Sequence, residues 1–172
     1  MAQNNLQARS RGSVSLDDPT QSLLHDHNYV RQLLQHYFGT EDERVRQQAG
    51  QQICDALLMH TTLEEAVFYP HVQALDPALV EKCEDDHQVA DELLVQLQEL
   101  QPGEAAYTEL MQQLQDSVIA HMDIEEQQLF PAVRSAAIDL QDLALRMQAY
   151  EANLISTQAS GGRGAQPGSG LH

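Results

Sequence analysis

The chain has 172 residues and a mass of 19.2 kDa, enough for one domain with a sizeable core and little room for a second. Its 26 Asp and Glu against 9 Lys and Arg give a net charge of -17, which argues against binding a phosphate backbone or an anionic membrane surface. No apolar run reaches the length of a membrane span, the N-terminus lacks the apolar core of a secretory signal, and two Cys are too few for a disulfide scaffold, so a cytoplasmic location is expected.

Residues 1–18 are polar and aperiodic, and 157–172 run into a Gly/Ser/Pro-rich end, so both read as disordered tails. Between them Leu, Ala, Gln, Glu and Met recur with helical period, and Val, Ile and Thr never alternate over a strand's length. A first helix is predicted from about Thr20 to Phe38, ending at Gly39. A second runs from the mid-forties to about Leu75, with Pro70 disturbing its last turns. Asp76-Pro77 pairs an N-cap with Pro at the first helical position and opens a third helix to Gln101. Pro102-Gly103 breaks it, and a fourth runs from Glu104 to Pro131–Arg134. The short joints make sequential neighbours antiparallel, so 19–136 reads as an all-α, up-down-up-down four-helix bundle. An additional C-terminal helix is expected within 137–156, with Leu140, Leu143, Met147 and Leu154 on one stripe. It would pack on the outside of the bundle; contact with a second copy, giving an oligomer, is the rival reading.

The bundle contains an internal repeat. Asp26-His27 recurs as Asp86-His87, His60-Thr-Thr-Leu-Glu64-Glu65 as His121-Met-Asp-Ile-Glu125-Glu126, and Phe68-Tyr69-Pro70 as Leu129-Phe130-Pro131. Each half is thus two helices, a lone His on the first and His-x-x-x-Glu-Glu with aromatic-Pro on the second. Residues i and i+4 share a helix face, so His60 with Glu64, and His121 with Glu125, can converge on one centre.

Helical phasing points these groups inward. The apolar faces read Leu23, His27, Val30, Leu34 and Phe38; Ile53, Leu57, His60, Glu64 and Val67; Cys83, His87, Ala90, Leu94 and Leu97; and Leu114, Val118, His121 and Glu125. A His interrupts every stripe and a Glu interrupts two. Two buried carboxylates call for positive charge between them. Four His and two Glu suit a pair of metal ions, and with a bridging oxo or hydroxo group they leave one open position on each. Mixed imidazole and carboxylate donors point to iron first and manganese second, whereas structural zinc prefers four closed ligands, often thiolate. A ferritin-like centre fails on count, since only Glu84-Asp85-Asp86-His87 has its Glu-x-x-His pattern.

Together, Leu-His-Asp-His27, His60-x-x-x-Glu64-Glu-x-x-Phe-Tyr-Pro, Glu-Asp-Asp-His87 and His121-x-x-x-Glu125-Glu-x-x-Leu-Phe-Pro resemble the hemerythrin-like HHE cation-binding domain. The resemblance implies an antiparallel four-helix bundle around an oxo-bridged di-iron centre, with His27, His60, Glu64, His87, His121 and Glu125 as ligands. It implies a protein that binds or senses oxygen or nitric oxide, or handles peroxide. Oxygen-carrying hemerythrins are similar but use five His, one Glu and one Asp, whereas the halves here are symmetric. Catalase-like decomposition of peroxide is the enzymatic alternative, and a zinc-binding helical scaffold the non-chemical one.

Other residues take lesser expectations. His25 falls on another face with Tyr29 and His36 and reads as surface. His71 phases inward, one repeat beyond Glu64, as a ligand or gate, although Pro70 disturbs that turn. Asp91, one turn after His87, is a seventh-ligand candidate whose counterpart in the first half is Arg31. Glu65 and Glu126 lie beside the inward face and read as acids around the ligands. Cys54 and Cys83 should stand on opposite sides of the metal level, roughly 15 Å apart along the bundle, too far for a disulfide.

Overall fold

The computed structural model describes residues 18–161, with side chains as far as Thr157. The expected tails therefore lie outside the described residues, except for Asp18 and 157–161. All regular structure among the described residues is helical. Helix α1 spans Pro19–Gly39, and Asp18 caps it by accepting from the Thr20 amide at 2.9 Å. Helix α2 starts at Glu43, where Asp42 accepts from the Arg44 and Val45 amides; it is α-helical over Glu43–Leu63, widens over Glu64–Phe68, and ends in the turn Tyr69–Val72. Helix α3 is Pro77–Gln98, capped by Asp76. Gly103, at φ 99°, makes the turn into α4. Helix α4 repeats the plan of α2: Ala105–Ile124, a wide turn over Glu125–Leu129, then Phe130–Ser135. Helix α5 is Leu140–Gly161, running past the end at 156 expected for it.

The two wide turns have one cause. Proline has no N–H and its ring crowds the carbonyl four residues back, so an α-helix cannot pass Pro70 or Pro131 unchanged. Instead each helix takes up one extra residue just before the proline. The Tyr69 amide bonds Glu64 O, and the Phe130 amide bonds Glu125 O, both five residues back. Beyond each wide turn the helix faces are rotated by one position. Val72 and Val133 are therefore fully buried, and His71, which α-helical phasing places inward, is exposed with Nδ1 2.7 Å from Val67 O.

The core falls into two apolar clusters. One holds Leu34, Tyr37, Ile53, Leu57, Leu94, Leu97, Met111 and Leu114; the other holds Leu23, Leu63, Phe68, Val72, Val80, Leu129, Phe130 and Val133. Each fully buried Leu or Phe contributes about 1.5–3 kcal/mol, and the two clusters flank a polar layer. Phe38, expected to complete the α1 stripe, is 37% exposed; Tyr37 takes its place at 1%. Both fit the helical period, and Gly50 decides between them. A Cβ there would stand 3.5 Å from the Tyr37 ring and 3.1 Å from the Tyr107 hydroxyl. Helix α5 buries Leu143, Ala144 and Met147 against the second cluster, packing on α1 and the wide turn of α2, with Leu140 and Leu154 only half-buried. Among the described residues, no helix is long and apolar enough to cross a membrane.

Candidate metal centre

Between the two clusters lie all six residues that the sequence placed inward. His27, Glu64 and Glu125 are fully buried, and His60, His87 and His121 are nearly so. The imidazoles form two pairs, His27 Nε2 to His60 Nε2 at 3.1 Å and His87 Nε2 to His121 Nε2 at 3.0 Å. Each carboxylate reaches both pairs. Glu64 Oε2 is 3.1 Å from His60 Nε2 and 3.3 Å from His87 Nε2; Glu125 Oε2 is 3.2 Å from His27 Nε2 and 3.4 Å from His121 Nε2.

The outer nitrogens explain why the inner ones point this way. His27 Nδ1 donates to Glu126 Oε1 at 2.8 Å, and His87 Nδ1 donates to Glu65 Oε1 at 3.0 Å. His60 Nδ1 faces Asp26 Oδ2 at 3.7 Å, and His121 Nδ1 faces Asp86 Oδ2 at 4.0 Å. A carboxylate only accepts, so a proton held at Nδ1 leaves the Nε2 lone pair turned inward. Lone pairs 3 Å apart repel unless a cation lies between them. Two nitrogens that share a cation at about 2.1 Å and a right angle stand about 3 Å apart, as these do.

The acids call for the same positive charge. Burial, and then the charge of Glu125, raises the Glu64 carboxyl well above its usual range. Burial also acts to raise Glu125, but the surrounding imidazoles of His27, His121 and His60 outweigh it and hold this acid at about 2. One carboxyl of the pair is thus neutral and the other ionised when no cation is present. Both Glu64 oxygens and Glu125 Oε2 are buried without a hydrogen-bond partner, which costs stability until something positive satisfies them. Burial lowers His121 to about 4, keeping it neutral and able to donate a lone pair near neutrality.

The sequence matches the Hemerythrin HHE cation binding domain over residues 18–133, well over half of the chain. The chain belongs to this family. A crystal structure of a Hemerythrin HHE cation binding domain-containing protein from Mycobacterium kansasii shares the fold, with a TM-score of 0.69 at 19% identity over 81% of this chain and 88% of that one. A protein of Nostoc sp. (strain PCC 7120 / SAG 25.82 / UTEX 2576) named DNA nickase is 29% identical over 130 residues; the match takes in 74% of this chain but only 37% of that protein.

Within this HHE domain the remaining candidates separate cleanly. Glu65 and Glu126 sit behind His87 and His27. Asp91 is exposed and does not join the cluster; partial burial and the charge of Glu65 raise its carboxyl, and α3 carries it past the level of the centre. His25 and His36 are exposed. Replacing His25 by Ala should leave metal content unchanged, while His27→Ala should lower it sharply; metal analysis of both variants checks the phasing of α1. Cys54 packs against the first apolar cluster and Cys83 lies in the second, both as free thiols. Burial raises both, Cys54 to about 11, so neither is a reactive thiolate.

Sequence reasoning missed two sets of residues. Asp26 and Asp86 were visible as repeated Asp-His pairs but carried no role until α1 and α3 were packed beside the second His of each half. Tyr69 was hidden by the wide turn, which returns position 69 to the face of Glu64. Its hydroxyl donates to Glu125 Oε1 at 2.9 Å and lies 3.3 Å from His87 Nε2, and its ring centre is 5.4 Å from that of His87. Phe130 occupies the same place in the other half and stacks on His27 at 5.6 Å. The repeated aromatic-Pro doublet was the signal for both.

Proposed function

We propose that this centre holds two iron ions through His27, His60, Glu64, His87, His121 and Glu125, and that the protein binds oxygen, nitric oxide or peroxide there, in the cytoplasm. The observation that carries the reading is that Glu64 and Glu125 each touch one imidazole of both His pairs, the placement a bridging carboxylate needs. Four imidazoles and two carboxylates fit iron or manganese better than a closed structural zinc site. An iron pair so held would supply open positions for a small ligand and electrons for its reduction. The chain supplies the rest. Glu126 and Glu65 fix the rings of His27 and His87, and Tyr69 places a hydroxyl proton at Glu125. Leu57, Ala90, Val118 and Met122 line a small cavity beside His60, His87 and His121, no larger than a single water molecule needs.

The activity named for the Nostoc protein is a property of that longer chain. The net charge of -17 argues against a phosphate backbone as the ligand of this one. Metal analysis of protein purified without a His tag tests the reading. The expected result is about two iron ions per chain with near-ultraviolet oxo-to-iron absorption. One zinc per chain and no such band would overturn it. Added peroxide then separates the two modes: consumption that stops at stoichiometry marks a binder, and consumption that continues marks a catalase-like enzyme.

A further inference from the structure

The internal repeat makes the centre look two-fold symmetric, and four details break that symmetry in the same direction. We infer that the two cation positions are unequal: the His27–His60 position fills first and tightly, and the His87–His121 position is the weaker, exchangeable one. The inequality rests on the two-ion reading of the centre.

The first detail is donor convergence. His27, His60, Glu64 and Glu125 bring four donor atoms within 4.8 Å of one another, whereas the other group of described residues that meets this limit contains only Glu64, His87 and His121. The second is Tyr69. Its hydroxyl takes up Glu125 Oε1 and stands against His87 Nε2, so from that carboxylate the second position is left only Oε2, which lies closer to His27 (3.2 Å) than to His121 (3.4 Å). Phe130, at the same place beside His27, has no hydroxyl and takes nothing from the first.

The third detail is the support behind the first His of each half. Glu126, behind His27, also accepts from Arg31 Nη1 at 2.7 Å, and Arg31 Nη2 is 3.2 Å from Asp123 Oδ1. That side chain is therefore held from two directions. Glu65, behind His87, is 47% exposed, and the repeat places Asp91 where the other half has Arg31. The fourth concerns the second His of each half. Lys82 pairs with Asp86, and Asp86 faces His121 at 4.0 Å where Asp26 faces His60 at 3.7 Å. Asp91 does add negative charge on the weaker side, but it is exposed, and solvent screens it. Donor count and fixed ligand orientation outweigh it.

Cobalt(II), added to the metal-free full-length protein, is the probe. Calorimetry and visible absorption should resolve two binding steps whose Kd values differ by at least about tenfold. At one equivalent, anomalous scattering should place the ion between His27 and His60. Arg31→Gln should weaken the first step and leave the second. Tyr69→Phe, which copies Phe130 and keeps the packing, should tighten the second step and narrow the gap. Two ions bound with a single constant, or first occupancy between His87 and His121, would overturn the inequality while leaving the two-ion reading intact. Binding of one ion with no second step would remove both. An unchanged gap in Tyr69→Phe, with helical content as in the parent, would also count against the inference.

Discussion

Glu64→Leu should abolish metal binding and at the same time raise the stability of the metal-free protein. Glu64 is fully buried with neither oxygen hydrogen-bonded, and it faces a second acid. Replacing such a group by an apolar side chain of similar volume is neutral or stabilising, by roughly 1–3 kcal/mol at a site of this kind. For a chain of this size that corresponds to a rise of about 2–12 °C in Tm. Glu125→Leu should also strip metal but should lower metal-free stability, because Glu125 accepts from Tyr69 and is held ionised among three His; its loss takes the 2.9 Å acceptor from the buried Tyr69 hydroxyl and leaves it only His87 Nε2 at 3.3 Å. Thermal unfolding of both variants in chelator, with metal analysis beside it, checks the pair. Equal loss of stability in the two would mean that Glu64 is satisfied in the metal-free fold.

Loading the parent protein with metal should stabilise it by far more than any surface change. A cation that binds only the folded chain, present at about a thousand times its Kd, contributes about 4 kcal/mol, or a rise of roughly 8–16 °C in Tm. Helical content should hardly change on loading. The two apolar clusters on either side of the centre persist without the ion, so the metal-free protein stays folded, unlike a small domain whose core is the metal site. Calorimetric unfolding with and without chelator measures the shift, and far-ultraviolet circular dichroism tests the constancy. A chain that loses its helices in chelator would show that the polar layer, rather than the clusters, holds the bundle.

The helix order was legible because Gly39, Asp76-Pro77 and Pro102-Gly103 punctuate the chain, whereas the caps at Asp18 and Asp42 appear only in the structure. Asp18, Asp42 and Asp76 cap helices by side-chain hydrogen bonds, and Pro102-Gly103 forces a turn. The six inward groups were legible because a His on an apolar stripe, repeated in every helix of the bundle, fits no simpler pattern. Residues beyond the prolines were not legible by α-helical phasing. One extra residue in a turn moves everything after it to a different face, so His71 was placed inward and Tyr69 was overlooked. Asp26 and Asp86 escaped for another reason: each acts on a His of a different helix, and single-helix phasing carries no information about such a contact. Phe38 and Tyr37 were both compatible with the stripe, and the space beside Gly50 on a neighbouring helix chose between them.

The contacts around the centre cross between the halves. Glu126 and Phe130 of the second half hold His27 of the first; Glu65 and Tyr69 of the first hold His87 of the second. The two halves of one chain thus meet as the subunits of an isologous dimer meet, each lending the other what it receives. A covalently joined pair has one freedom that two identical subunits lack, since corresponding positions need not carry the same residue. Tyr69 opposite Phe130, and Arg31 opposite Asp91, are such positions. A centre assembled from two copies of either half alone could contain neither difference.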